Sequence, residues 1–169
     1  MSCNLALSGI PRDCEGSIGG VKAVYFINHD QLGEVTVTEE TGIVSAITPT
    51  DSGKFFEVFS KKDTATFTTA MLDNHSFQST LTITVERMTA AKRMQVGVLL
   101  HNELAAIVKD NNGVYWLIGD DTALEASASD VGATGAAKTD TNAYTITLTD
   151  VSRALPKTID PSIVEALIG

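Results

Sequence analysis

Residues able to do chemistry are few and scattered in this chain. Asp120-Asp121 sets two carboxylates at the end of an apolar run, a pair that could hold a cation or act as acid and base. Adjacent residues of a strand point to opposite faces, however, which is poor geometry for a dyad. Asp110-Asn111-Asn112-Gly113 offers the oxygens of a calcium loop without the spacing or the closing Glu of an EF-hand, so a hairpin turn is the better reading. Gly16-Ser17-Ile18-Gly19-Gly20 is glycine-rich but precedes a strand instead of joining strand to helix, and no phosphate-binding Gly-x-x-x-x-Gly-Lys-Ser/Thr run occurs. The Gly-x-Ser-x-Gly elbow of hydrolases is absent as well. His29, His75 and His101 stand singly, and with Cys3 and Cys14 they do not compose a zinc set. Tyr115 and Trp116 could stack on a base or a sugar, although a solitary Trp in a hairpin is more often core or interface. The sequence therefore predicts no catalytic residue, no metal site and no cofactor.

Charge narrows the partners. The formal net charge is −9, and the only adjacent basic pairs are Lys61-Lys62 and Lys92-Arg93. That balance argues against a nucleic-acid binder, which needs clustered Lys and Arg, and against an anionic membrane surface. No apolar stretch approaches the ~18 residues of a membrane span. The opening, Met1-Ser2-Cys3-Asn4-Leu5-Ala6, lacks the basic and apolar regions of a secretory signal, which predicts the cytoplasm of the producing cell. Cys3 and Cys14 could pair if a turn brought their Cα atoms within about 7 Å, but a reducing compartment favours two free thiols.

The elements that must carry these residues are mostly strands. Residues 1–20 read as an N-terminal arm and 21–169 as one β-rich domain. Val21–Asn28 is β-branched and aromatic, and GEVTVT and IVSAIT around Glu39–Gly42 read as a hairpin. Thr64–Leu72 is another strand candidate. In FQSTLTITVER, Phe77, Ser79, Leu81, Ile83 and Val85 share one face and threonines the other, the pattern of a strand with one wet side. The period then switches to 3.6: Met88–Asn102 predicts the one internal helix, with Met88, Ala91, Met94, Gln95 and Val98, extending to Leu99, as its core-facing stripe. Leu104–Lys109 and Val114–Gly119 flank Asn112-Gly113, which predicts a hairpin with a type I′ turn. Leu124–Ser129 predicts a short strand, followed to Asn142 by a flexible or partner-ordered loop. Ala143–Thr149 is a final strand. Asp160-Pro161 announces a terminal helix whose Ile163, Val164, Leu167 and Ile168 form an apolar stripe that must dock. About seven or eight strands with hairpin links predict a mainly β fold: a sandwich or partly open antiparallel barrel, with one packed internal α-helix and a short C-terminal helix.

From about Phe55 to Gly169 this layout resembles a bacteriophage tail-tube protein or a related tail or neck protein of the virion. The matching features are FQSTLTITVER leading into the helix MTAAKRMQVGVLLHN, the hairpin ELAAIVKDNNGVYWLIGDD, the small-residue loop ASDVGATGAAKTDTN, the strand AYTITLT, and the short segment after Pro156. The opening CNLALSGIPRDCEGSIGGVKAVYFIN is similar to virion proteins of phages of gut Bacteroidetes. The resemblance implies a β-sandwich or barrel flanked by a helix, in hexameric rings that stack into a tube. It supplies no catalytic residue. It implies that the partners are further copies of the chain and other tail or neck proteins, in a virion made in the host cytoplasm, with DNA passing unbound through an acidic lumen.

Phosphates would be repelled by such a lumen. Phe55, Phe56 and Phe59 are candidates to plug into a neighbouring subunit, as are Ile163, Leu167 and Ile168 of the terminal helix; the three Phe could equally fill the chain's own core. The leading expectation is a non-enzymatic tail-tube or neck-ring subunit. A head-decorating or tail-adaptor protein is the alternative within the same class, and a monomeric β-sandwich module binding a sugar or a protein is the alternative outside it.

Overall fold

The computed structural model describes residues 7–169. Cys3 lies outside them, and Cys14 is exposed. Residues 7–20 hold no helix or strand and are exposed throughout. In chain order there follow β1 (Val21–Asn28), β2 (Glu34–Val37), β3 (Val44–Thr48), β4 (Phe56–Glu57), β5 (Thr66–Met71), β6 (Phe77–Glu86) and helix α1 (Ala90–His101). After it come β7 (Leu104–Asp110), β8 (Tyr115–Ile118), β9 (Glu125–Ala126), β10 (Gly132–Ala133), β11 (Ala143–Ser152), β12 (Lys157–Ile159) and helix α2 (Pro161–Leu167).

The strands make two open sheets. One runs β2-β3-β12-β8-β7-β1-β4; the other runs β10-β11-β6-β5, with β9 also on β11. Pairing is antiparallel except between β12 and β3. This is a mainly β, sandwich-like fold with one internal helix and a short terminal one, as the alternating runs predict.

Strand β7 explains the layering. Its apolar run is buried on both faces, as a strand covered on both sides must be. Ala106 and Val108 join Val24 and Phe26 of β1 against Leu81, Ile83, Ile146 and Leu148 of the second sheet. Ala105 and Ile107 point the other way, into a second core with Val44, Phe55, Leu117, Val164 and Leu167. Helix α2 closes that core. Asp160 caps it by accepting from Ser162 N–H at 3.0 Å, and Pro161 opens its first turn.

Four details depart from the sequence reading. The β7–β8 turn is not type I′, since Gly113 takes φ 86° while Asn112 stays out of the left-handed region. Instead Gly113 N–H reaches Asp110 O and Asp110 N–H reaches Val114 O, a three-residue loop ending in a left-handed glycine. The cause is the Asp110 carboxylate, which accepts from the N–H of Asn112 (2.9 Å), of Val114 (3.0 Å) and of the Trp116 indole (3.1 Å). Second, of the predicted stripe α1 buries Leu99, beside the unpredicted Val96, while Met94 is 65% exposed and Val98 is exposed too. Third, the predicted short strand is present as β9, but the stretch after it, expected as a loop, adds a second two-residue strand, β10, against β11. Fourth, β12 is a strand that Lys157-Thr158-Ile159 is too short to announce by periodicity, yet it joins β8 to β3.

Gly33 is the turn most intolerant of a side chain. It sits at φ +70°, and a Cβ there would stand 1.9 Å from the carbonyl oxygen of Thr48. Gly33→Ala combines left-handed strain with a backbone clash at the base of the β2–β3 hairpin, and should cost about 2 kcal/mol of stability in urea unfolding.

Candidate assembly surface

The paired carboxylates settle into structural roles. Asp121 accepts from the backbone N–H and the guanidinium of Arg153, and that hydrogen bonding holds its carboxyl well below the usual carboxylate range. Asp120 pairs with Lys157 of β12. The two thus staple the end of β8 to the chain following β11, each with its own cation. Among the described residues no group of three or more His, Cys, Asp or Glu gathers, and no helix is long and apolar enough to cross a membrane. Trp116 is half-buried, tilted 6.4 Å from Phe67, with its N–H spent on Asp110. Tyr115 lies under the Lys109 ammonium at 4.9 Å.

The six sequence candidates for subunit contact divide. Phe55 is fully buried in the second core. Leu167 is buried beside it, and Ile163 and Ile168 are half-buried against the same cluster. Phe55 N–H donates to Leu167 O and Gly169 N–H to Phe55 O, both at 2.9 Å, so the terminal helix docks on its own chain. Phe56 and Phe59 do the reverse, being 63% and 77% exposed. Alternation separates Phe55 from Phe56, whereas Phe59 shares the parity of Phe55 and is exposed because it lies beyond β4, where the chain leaves for the second sheet.

Phe56 and Phe59 form one wall of a groove of about 520 Å³, with Val58 and Val85 at its floor and Ala91, Gln95 and Leu99 of α1 opposite. It continues along α1 into a second hollow lined by Phe56, Val98 and Leu104, and beyond Phe59 into a third beside Val21 and Asn111. The apolar stripe of α1 is therefore real, but much of it faces solvent and this groove instead of the core. The lysines Lys22, Lys54, Lys61, Lys62 and Lys92 line these hollows and outnumber the carboxylates Glu57, Asp63 and Glu86. A locally basic, apolar trough stands out on a chain of net charge −9.

The arm supplies a second unsatisfied surface. Leu7 and Ile10 are 98% and 95% exposed. Its base is clamped to the β7–β8 turn, where Ile18 N–H donates to Asn112 Oδ1 (2.9 Å), Asn112 Nδ2 donates to Ile18 O (3.0 Å) and Asn111 Nδ2 donates to Gly19 O (2.7 Å). The turn asparagines thus fix where the arm leaves the domain. Neither Leu7 and Ile10 nor the outer side of α1 figured among the sequence candidates. Their one sequence signal was apolar residues in segments with nothing of their own to cover them.

Comparison with protein-family models, with curated proteins and with solved structures finds no match.

Proposed function

We propose that this chain is a non-enzymatic structural subunit of a phage virion, most specifically a tail-tube or neck-ring protein that assembles into rings, with six copies favoured. The observation that carries the reading is the apolar surface left uncovered in the single chain: Phe56, Phe59 and Met94 on the domain, and Leu7 and Ile10 on the arm. Large apolar groups are left exposed in this concentration where a neighbour covers them.

The second sheet suits the wall of a DNA conduit. On its outer face Thr80, Thr82 and Thr84 of β6 stand opposite Thr149, Thr147 and Thr145 of β11. Thr66 and Thr68 of β5 extend the rows. Hydroxyls wet this face without offering a cation to phosphate, and the negative charge of the ring as a whole repels the duplex. A head-decorating or tail-adaptor role draws on the same exposed surfaces and is the second reading. A sugar-binding module has less to stand on, since Trp116 is committed to Phe67 and Asp110.

Sedimentation velocity over a concentration series tests the assembly. The expected result is a species several times the 17.9 kDa of one chain that grows with concentration. A monomer at every concentration would overturn ring formation by the chain alone.

A further inference from the structure

We propose that the groove between β4 and α1 receives the N-terminal arm of a second copy of this chain, laid as an added strand along the edge of β4. The inference rests on the assembly reading above and assigns its contact.

Hydrogen-bond parity locates the open edge. Phe56 pairs with Phe26 of β1, and Val58 N–H donates to Val24 O at 3.0 Å. Phe56 and Val58 therefore bond inward, and the N–H and C=O groups of Phe55, Glu57 and Phe59 face the other way. At Phe55 that outer side is closed by Leu167 and Gly169. At Lys61 the chain has crossed to the second sheet, where its N–H donates to Thr84 O at 2.7 Å. Between these two points the outward groups of Glu57 and Phe59 have no backbone partner among the described residues. An open edge beside an apolar trough is the surface that strand addition uses: backbone bonds give affinity, and the trough takes side chains.

The arm fits in chemistry and reach. Leu7, Ile10 and Ile18 are exposed apolar side chains, and the segment is not in a helix or strand of its own. Between Leu7 and Gly20 its charges are Arg12, Asp13 and Glu15, a net negative segment facing a trough where lysines predominate. The anchor at Asn111 and Asn112 leaves the residues before Ile18 to extend. At about 3.3 Å per residue, residues 7–17 span roughly 36 Å, enough to cross onto a neighbour. The arm stays exposed on its own domain, so the groove is open to the arm of another copy.

The test uses the exposed Cys14 as a handle. The full chain with Cys3→Ser is labelled at Cys14 with a benzophenone maleimide, mixed with heavy-isotope unlabelled chain under conditions where sedimentation shows the oligomer, and irradiated. The expected cross-links join the light arm to heavy peptides covering 54–62 or 91–99. Cross-links only within one copy, or to another surface, overturn arm exchange while the assembly reading stands. A mixture that sediments as monomers overturns both. As an independent arm of the test, Phe56→Ser with Phe59→Ser, and separately deletion of residues 1–17, should each weaken self-association at least about tenfold. Unchanged association in folded variants would contradict the proposal.

Discussion

Phe55→Ala should destabilise the protein by about 3–5 kcal/mol, while Phe56→Ala and Phe59→Ala should each cost less than about 1 kcal/mol. The three residues share a type and lie within five positions, so composition cannot separate them. Burial does. Phe55 is fully enclosed among Val44, Ile107, Leu117 and Val164, and truncation leaves a cavity the size of a ring in the core under α2. Its neighbours expose most of their surface. In urea unfolding at a concentration where the chain is monomeric, Phe55→Ala should lower the midpoint strongly, with the other two near wild type. The self-association readout should reverse the order: the stability-neutral Phe56 and Phe59 variants lose assembly. Equal destabilisation by all three would contradict this division between fold and interface.

Asp150→Ala should cost about 2–5 kcal/mol, because Asp150 is the buried polar link between the sheets. From β11 its carboxylate accepts from Gly119 N–H at 3.0 Å, beyond the end of β8, and from Ser79 N–H at 3.3 Å on β6. Alanine would leave both donors without that acceptor in a dry site. Burial pushes the Asp150 carboxyl above the ordinary carboxylate value, against the lowering effect of those two donors. A raised folded value means that the folded state binds more protons than the unfolded one between the two, so this group's contribution to stability falls as pH rises through that window. Asp121 has the opposite sign: its folded value is lowered by Arg153, and its stabilisation is present above the unfolded value and lost as pH falls. Asp150→Asn removes the Asp150 slope alone. Its stability deficit against wild type should therefore be largest near pH 4 and shrink toward neutrality. A deficit that widens with pH would show that the buried carboxylate is stabilised by its charge.

Much of the architecture was legible because strands with one buried face alternate. FQSTLTITVER and AYTITLT place Leu81, Ile83, Ile146 and Leu148 in the core as their period requires. The Asp160-Pro161 start of α2 was legible from capping chemistry alone. The failures have specific causes. In the β7–β8 turn, an Asp side chain three residues before the glycine overrode the Asn-Gly preference by supplying its own hydrogen bonds. In α1, apolar residues spread over more of the circumference than the core covers, and periodicity does not say which part of a wide stripe faces inward. The same ambiguity governed the contact residues. Ile163, Leu167 and Ile168 looked like a surface in need of a partner, and the second core of the same chain, with β3 and Phe55 against α2, supplies one. Met94 looked like core and lies outside it.

The assembly account ties these misplacements together, since an apolar face that the chain does not cover is one that another chain can. Negative-stain electron microscopy of the purified protein over a concentration series tests this most directly. The account predicts rings or tubes of uniform diameter with an open centre, lost on deletion of residues 1–17. Small solid particles at every concentration, unchanged by that deletion, would contradict it.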